Sequence, residues 1–133
     1  MTIHQDLKIL AHADHDAPID GDASVLQLAN DVDMLTVQIE NVARIELDFP
    51  NFTDGRAFSQ AYLLRRRRGF KGDIRATGDV LIDQLVQMQR TGFSSAVLKA
   101  GVDPADAQRQ FARFTGFYQG STDVHPHFSQ VPA

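Results

Sequence analysis

The sequence of 133 residues contains no cysteine, which excludes disulfides, thiolate metal sites and cysteine nucleophiles. No run approaches ~20 consecutive apolar residues, so no membrane-spanning helix is expected. The amino-terminal Met1-Thr2-Ile3-His4-Gln5-Asp6 lacks the basic-then-apolar layout of a signal peptide. Also missing are a P-loop, a Gly-x-Gly-x-x-Gly after a strand and a Gly-x-Ser-x-Gly elbow. Positive charge is scarce: 13 Lys and Arg stand against 17 Asp and Glu, a net charge of −4 that suits nucleic-acid binding poorly. What is present suffices for a packed core, with 43% hydrophobic residues and 9 Phe. At this length folding removes roughly two thirds of the chain's accessible surface. The expectation is one globular domain in the cytoplasm, with neither nucleic acid nor membrane as partner.

Residues 1–22 read as an amino-terminal arm, 23–119 as one α/β domain and 120–133 as a carboxyl-terminal tail. In the arm, five aspartates including Asp14, Asp16 and Asp22 are interspersed with His4, His12 and His15, and a short strand is expected near 7–11. From residue 25 strands and helices alternate. Strands are expected over 25–29, 44–49, 73–77 and 95–99. Helices are expected from Asn30 or Asp31 to about 42, over 57–68 and 80–90, and from Asp103-Pro104 to about 115, where cap, proline and Asp106 form a helix start.

Such alternation implies right-handed crossovers and a parallel sheet of about four strands. Strands covered by helices on both faces are apolar on both. These alternate instead: Ile45, Leu47 and Phe49 with Glu46 and Asp48; Ile74 and Ala76 with Asp73, Arg75 and Thr77; Ala96 and Leu98 with Ser95, Val97 and Lys99. Helices are therefore expected on one face, with something polar against the other. Two architectures fit: half of a TIM barrel, completed by a second copy in a homodimer, or a flavodoxin-like open sheet.

Ligands of parallel sheets bind beyond the carboxyl ends of the strands. There Asp48 precedes Thr53-Asp54-Gly55-Arg56, and Gly78-Asp79 precedes Asp83 and Gln84. Arg56 at a helix start is placed to hold an anion; the plainer reading is a cap at Thr53 or Asp54 with Arg56 paired to a carboxylate. Asp79 reads as an N-cap, and one helical turn separates it from Asp83. Carboxylates so grouped can bind Mg²⁺ or act as acid and base, although caps and solvated charges are the commoner outcome; no metal site is assigned. Glu46, Arg75 and Lys99 share a sheet face, as mutual salt bridges or, with Arg56, as a basic pocket for a small oxyanion. Arg65-Arg66-Arg67-Arg68 reads as a helix end complementing the macrodipole, or as a docking patch for an acidic partner. His125-Pro126-His127 reads as adventitious metal binding in the tail.

Two blocks carry a family pattern. Leu47-Asp48-Phe49-Pro50-x-Phe52-Thr53-Asp54-Gly55-Arg56-x-Phe58-Ser59 with Leu63-Leu64-Arg65 is the first. Gly72-x-Ile74-Arg75-Ala76-x-Gly78-Asp79-Val80-Leu81-x-Asp83-Gln84-Leu85 with Arg90-x-Gly92-Phe93 is the second, and Phe117-Tyr118-Gln119 echoes them. Over about 25–119 the chain resembles the bacterial family catalogued as domain of unknown function 934. The resemblance implies an oxidoreductase or accessory protein of assimilatory sulfite reduction, with sulfite reductase or another sulfur-assimilation enzyme as partner. It marks Gly55, Ser59, Gly78, Asp83 and Gln84 as motif residues. No flavin, nicotinamide, haem or iron–sulfur signature accompanies it, so no cofactor is expected. Three readings stay open: an accessory component without its own redox centre, an enzyme acting on a small anion through Asp48, Asp54, Arg56 and Asp79, and a structural or regulatory binding module.

Overall fold

In the computed structural model, which describes residues 7–16 and 21–113, period-two patterning has become a five-stranded, wholly parallel sheet. Its strands are β1 (Lys8–Leu10), β2 (Val25–Leu28), β3 (Arg44–Phe49), β4 (Asp73–Gly78) and β5 (Ser95–Val97). Their spatial order is β1-β5-β4-β3-β2. From β2 to β5 each strand lies beside its predecessor, the sequential winding of a half barrel, while among the described residues no further strand pairs with either edge. The α/β expectation with a parallel sheet holds. The fifth strand is the short arm segment: β1 pairs with β5, Ile9 opposite Ala96.

Helix α1 (Arg56–Arg66) follows β3, α2 (Leu85–Thr91) follows β4 after a 3₁₀ turn at Ile82–Gln84, and α3, described over 104–113, follows β5. Ala57, Phe58, Ala61 and Leu64 recur at helical spacing on α1 and are buried against the apolar sheet face of Ile45, Leu47, Phe49, Ile74, Ala76 and Ala96. Phe49, Phe58 and Phe93 meet at centroid separations of 5.0, 5.7 and 6.4 Å. Such pairs add about 0.5–1.5 kcal/mol each beyond their burial. Phe111 and Ala107 of α3 join the same cluster. As expected, Asp103 caps α3, its carboxylate accepting from the Ala105 amide at 2.9 Å.

Three sequence expectations fail locally. Residues 30–42 form successive turns rather than a helix. Carbonyls that a helix would bond internally are taken by α1 and its C-terminal extension. The Gln60 amide donates to Ala29 and Val32 at 2.9 and 3.1 Å, and Arg68 donates to Met34 and Val37 at 2.7 and 3.0 Å. Asn41, at φ 66°, ends the segment in a conformation no right-handed helix contains. Met34 is buried at 1% exposure, so packing outweighs the weak helix propensity of Val32, Thr36, Val37 and Ile39. Helix α2 begins at Leu85, not Val80, because Asp79 is engaged elsewhere and caps nothing. Its expected one-turn partnership with Asp83 therefore does not exist.

The arginine run divides. Arg66 and Arg67 are exposed, whereas Arg65 fastens three carbonyls: its Nε donates to Gly92 at 2.9 Å, and its Nη1 to Phe70 at 2.9 Å and Gly72 at 2.8 Å. Burial pushes the Arg65 pKa down from that of a free guanidinium. With Arg68 it is an internal clamp rather than part of a surface patch. The expected tail at 120–133, Phe117-Tyr118-Gln119 and the His125-Pro126-His127 group lie outside the described residues.

Candidate functional site

The polar face of the sheet is built in registered rows. Gln27 lies opposite Glu46, Glu46 opposite Arg75, and Arg75 opposite Ser95; one row further along, Asp48 lies opposite Thr77. Cross-strand neighbours this close interact directly. Glu46 and Arg75 are 2% and 5% exposed, a depth at which a charge needs partners. Arg75 finds them with Nε donating to Ser95 Oγ at 2.9 Å, Nη2 to Asp73 at 3.2 Å and Nη1 to Asp16 at 2.7 Å. The Gln27 amide donates to Glu46 Oε1 at 3.0 Å, and Arg44 Nη2 stands 2.8 Å from Oε2.

The cover over these rows is the chain's own arm. His15 Nδ1 lies 3.1 Å from Arg75 Nη1, and its Nε2 lies 3.6 Å from Glu46 Oε2. Asp16 bridges Arg75 and Arg44, and these two guanidiniums hold its carboxyl far below the usual carboxylate range. The polar strand faces signalled that something must lie against them. The aspartates and histidines of the arm were the matching partners, but linear sequence does not say that residues 15–16 cross β3 and β4.

At the carboxyl ends of the strands, loops from β3 and β4 lock together. Asp79 accepts from the Phe52 amide at 2.8 Å, and Gln84 donates to the Phe52 carbonyl at 2.9 Å. Both backbone groups of Phe52 are thus held while the residue remains 52% exposed. Lys99 pairs with the other Asp79 oxygen at 2.8 Å, and this pairing, aided by the Phe52 amide, lowers the Asp79 pKa. Asp54 accepts from Arg56 Nε and Nη2 at 3.1 and 2.8 Å, from the Arg56 amide at 3.1 Å and from Asn30 at 2.7 Å. Its pKa falls well below 3.8, chiefly through the Arg56 side chain. Asp54 therefore steadies the first turn of α1 from one residue before the cap, while Thr53 donates to Asn51 instead.

Gly78, at φ 92°, lets β4 end against β3: a Cβ there would overlap the Phe49 carbonyl oxygen and lie 2.6 Å from Asp48 Oδ1. Asp48 has no hydrogen bond or ion pair among the described residues. Ser59 is exposed on α1. Asp83 lines a cleft of about 560 Å³ with Lys99, Gln110 and apolar residues from Val80 to Val102.

Thus Asp79, Gln84 and Lys99 come together, as do Asp54 and Arg56. Arg56, Arg75 and Lys99 each sit on a separate carboxylate, and Arg75 lies down the strand, with Ala76 and Thr77 between it and the terminal Gly78. Among the described residues no group of three His, Cys, Asp or Glu could hold a metal ion, and no helix is long and apolar enough to cross a membrane. A family model of bacterial proteins of unknown function, DUF934, matches residues 24–128. No curated protein and no solved structure matches the chain.

Proposed function

Because the chain belongs to the DUF934 family of bacterial proteins of unknown function, its role must be read from its own surface, and we propose that it is an accessory component of assimilatory sulfite reduction. In this reading it works in the cytoplasm, docks on the sulfite-reducing enzyme and carries no redox centre of its own. One observation carries the choice over a small-anion enzyme. Every cation expected to bind substrate is already neutralised, Arg56 by Asp54, Arg75 by Asp16 and Asp73, and Lys99 by Asp79. An oxyanion would have to displace a carboxylate that is tethered beside its guanidinium. What the strand ends do offer is an exposed Phe52 on a main chain held at both polar groups. A preorganised aromatic loses little conformational entropy on association.

The test is growth of a deletion strain on sulfate, sulfite, sulfide or cysteine as sole sulfur source. The expected result is failure on sulfate and sulfite, rescue by sulfide and cysteine, and complementation by the parent gene but not by Phe52→Ser. Equal growth on all four sources would remove the protein from this pathway. Complementation by Phe52→Ser would remove the docking role of the loop.

A further inference from the structure

Residues 79–84 build two neighbouring features at the strand ends. Asp79 and Gln84 hold the amide and the carbonyl of Phe52, and the four residues between them form one wall of the cleft of about 560 Å³. The other wall is the turn after β5, residues 99–102, closed by the Val102 amide donating to the Lys99 carbonyl at 3.2 Å. Lys99 joins the two walls through its ion pair with Asp79 at 2.8 Å. An exposed aromatic and an open cleft therefore stand side by side on cross-linked loops, and a surface that meets one meets the other.

The cleft is apolar inside and negative at its rim. Leu81, Ile82 and Val102 line it and are half-buried. Lys99 is already paired, whereas Asp83 is exposed and its carboxylate has no hydrogen bond or ion pair among the described residues. A rim carboxylate beside apolar surface matches a cation carried on a long apolar stem, as in lysine and arginine. The wider charge distribution has the same sense. Apart from the paired Arg56 and Lys99, this edge of the sheet exposes Asp31 and Asp83, while the opposite edge exposes Arg66, Arg67 and Lys71. Such a separation turns the Phe52 edge toward a positive partner during encounter.

We propose that the Phe52 loop and this cleft are one docking surface. The partner protein seats an apolar side chain on Leu81, Ile82 and Val102, beside a lysine or arginine that pairs with Asp83. This inference rests on the docking reading above and supplies the chemistry of the partner's surface. It is tested by surface plasmon resonance, with the purified sulfite-reducing enzyme of the same organism passed over the immobilised chain at low and at physiological salt. Asp83→Lys should slow association about tenfold and Asp83→Asn about threefold, with a flatter salt dependence, as a rim charge does. Leu81 lies outside the core cluster, so Leu81→Ser should leave the melting temperature in place and speed dissociation about tenfold. Glu40→Lys makes the same change of charge in the turn before β3, at the opposite edge, and should leave both rates unchanged. No binding of the parent chain would overturn this inference together with the docking reading. Binding that Phe52→Ser weakens but Asp83→Lys and Leu81→Ser do not would overturn the role of the cleft alone. Equal slowing by Asp83→Lys and Glu40→Lys would trace the effect to net charge and overturn the pairing at Asp83.

Discussion

Replacing Arg65 by methionine keeps an unbranched stem against α2 and the loop before β4 but deletes the donors. Three carbonyls, at Gly92, Phe70 and Gly72, lose their partner together. A hydrogen bond from a charged donor contributes about 1.5–3 kcal/mol, and a stranded acceptor costs about as much as its desolvation. The site is half-buried, so water recovers part of the loss, and three bonds from one group are not additive. The expected cost is about 3–5 kcal/mol, a fall in Tm of roughly 10–20 °C for a domain of this size. Arg65→Lys keeps the charge without the planar fork and should fall between. The control is Arg66→Met, whose guanidinium lies over the Tyr62 ring at 5.3 Å on the surface and contributes about 1 kcal/mol or less. Urea unfolding followed by circular dichroism gives both free energies, provided the m-value is unchanged. An Arg65→Met protein within about 1 kcal/mol of the parent would refute the clamp, as would an equal loss in Arg66→Met.

Gly78→Ala should destabilise by more than about 2 kcal/mol, since it meets both a positive φ and the Phe49 carbonyl; Gly101→Ala, also at positive φ but with open space around it, should cost about 1 kcal/mol, and calorimetry separates the two. Asp16 and Asp54 have folded pKa values depressed below 3.8, so the stability they add is complete above about pH 4 and is lost as pH falls through the depressed values. In melting curves taken from about pH 6 down to about pH 2, the double variant Asp16→Asn, Asp54→Asn should show a shallower acid decline than the parent; identical profiles would refute the role of these ion pairs. Asp79→Ala removes the acceptor of the Phe52 amide, and hydrogen exchange at that amide should accelerate by about tenfold or more while amides in β3 keep their protection; unchanged exchange would show that the loop is held without Asp79.

Local chemistry made much of the fold legible. Alternation of apolar and charged residues in three strands announced a sheet with one apolar face, because side chains on a strand point alternately to opposite sides. The Asp103-Pro104 start and the carboxylate partnership of Arg56 follow from groups within a few residues of each other, so their spacing alone suffices. The strand-end residues of the candidate site were also nameable, since βα loops project from one edge of any parallel sheet.

What sequence alone left undecided depends on distance along the chain. Whether residues 30–42 became helix or turns rested on Gln60 and Arg68, 28 to 34 positions away, which take the carbonyls a helix would use. Asp79 looked like a cap until the Phe52 amide, 27 positions back, and Lys99, two residues beyond the end of β5, competed for its two oxygens. The polar sheet face declared that it needed a cover, but periodicity specifies a surface and never its occupant. Only the pairing of β1 beside β5 carries His15 and Asp16 onto Glu46 and Arg75, 59 to 60 positions from Arg75. Hydrophobic pattern and capping are short-range physics that sequence states directly, whereas the partner of a buried charge is set by which strands the closed chain makes neighbours.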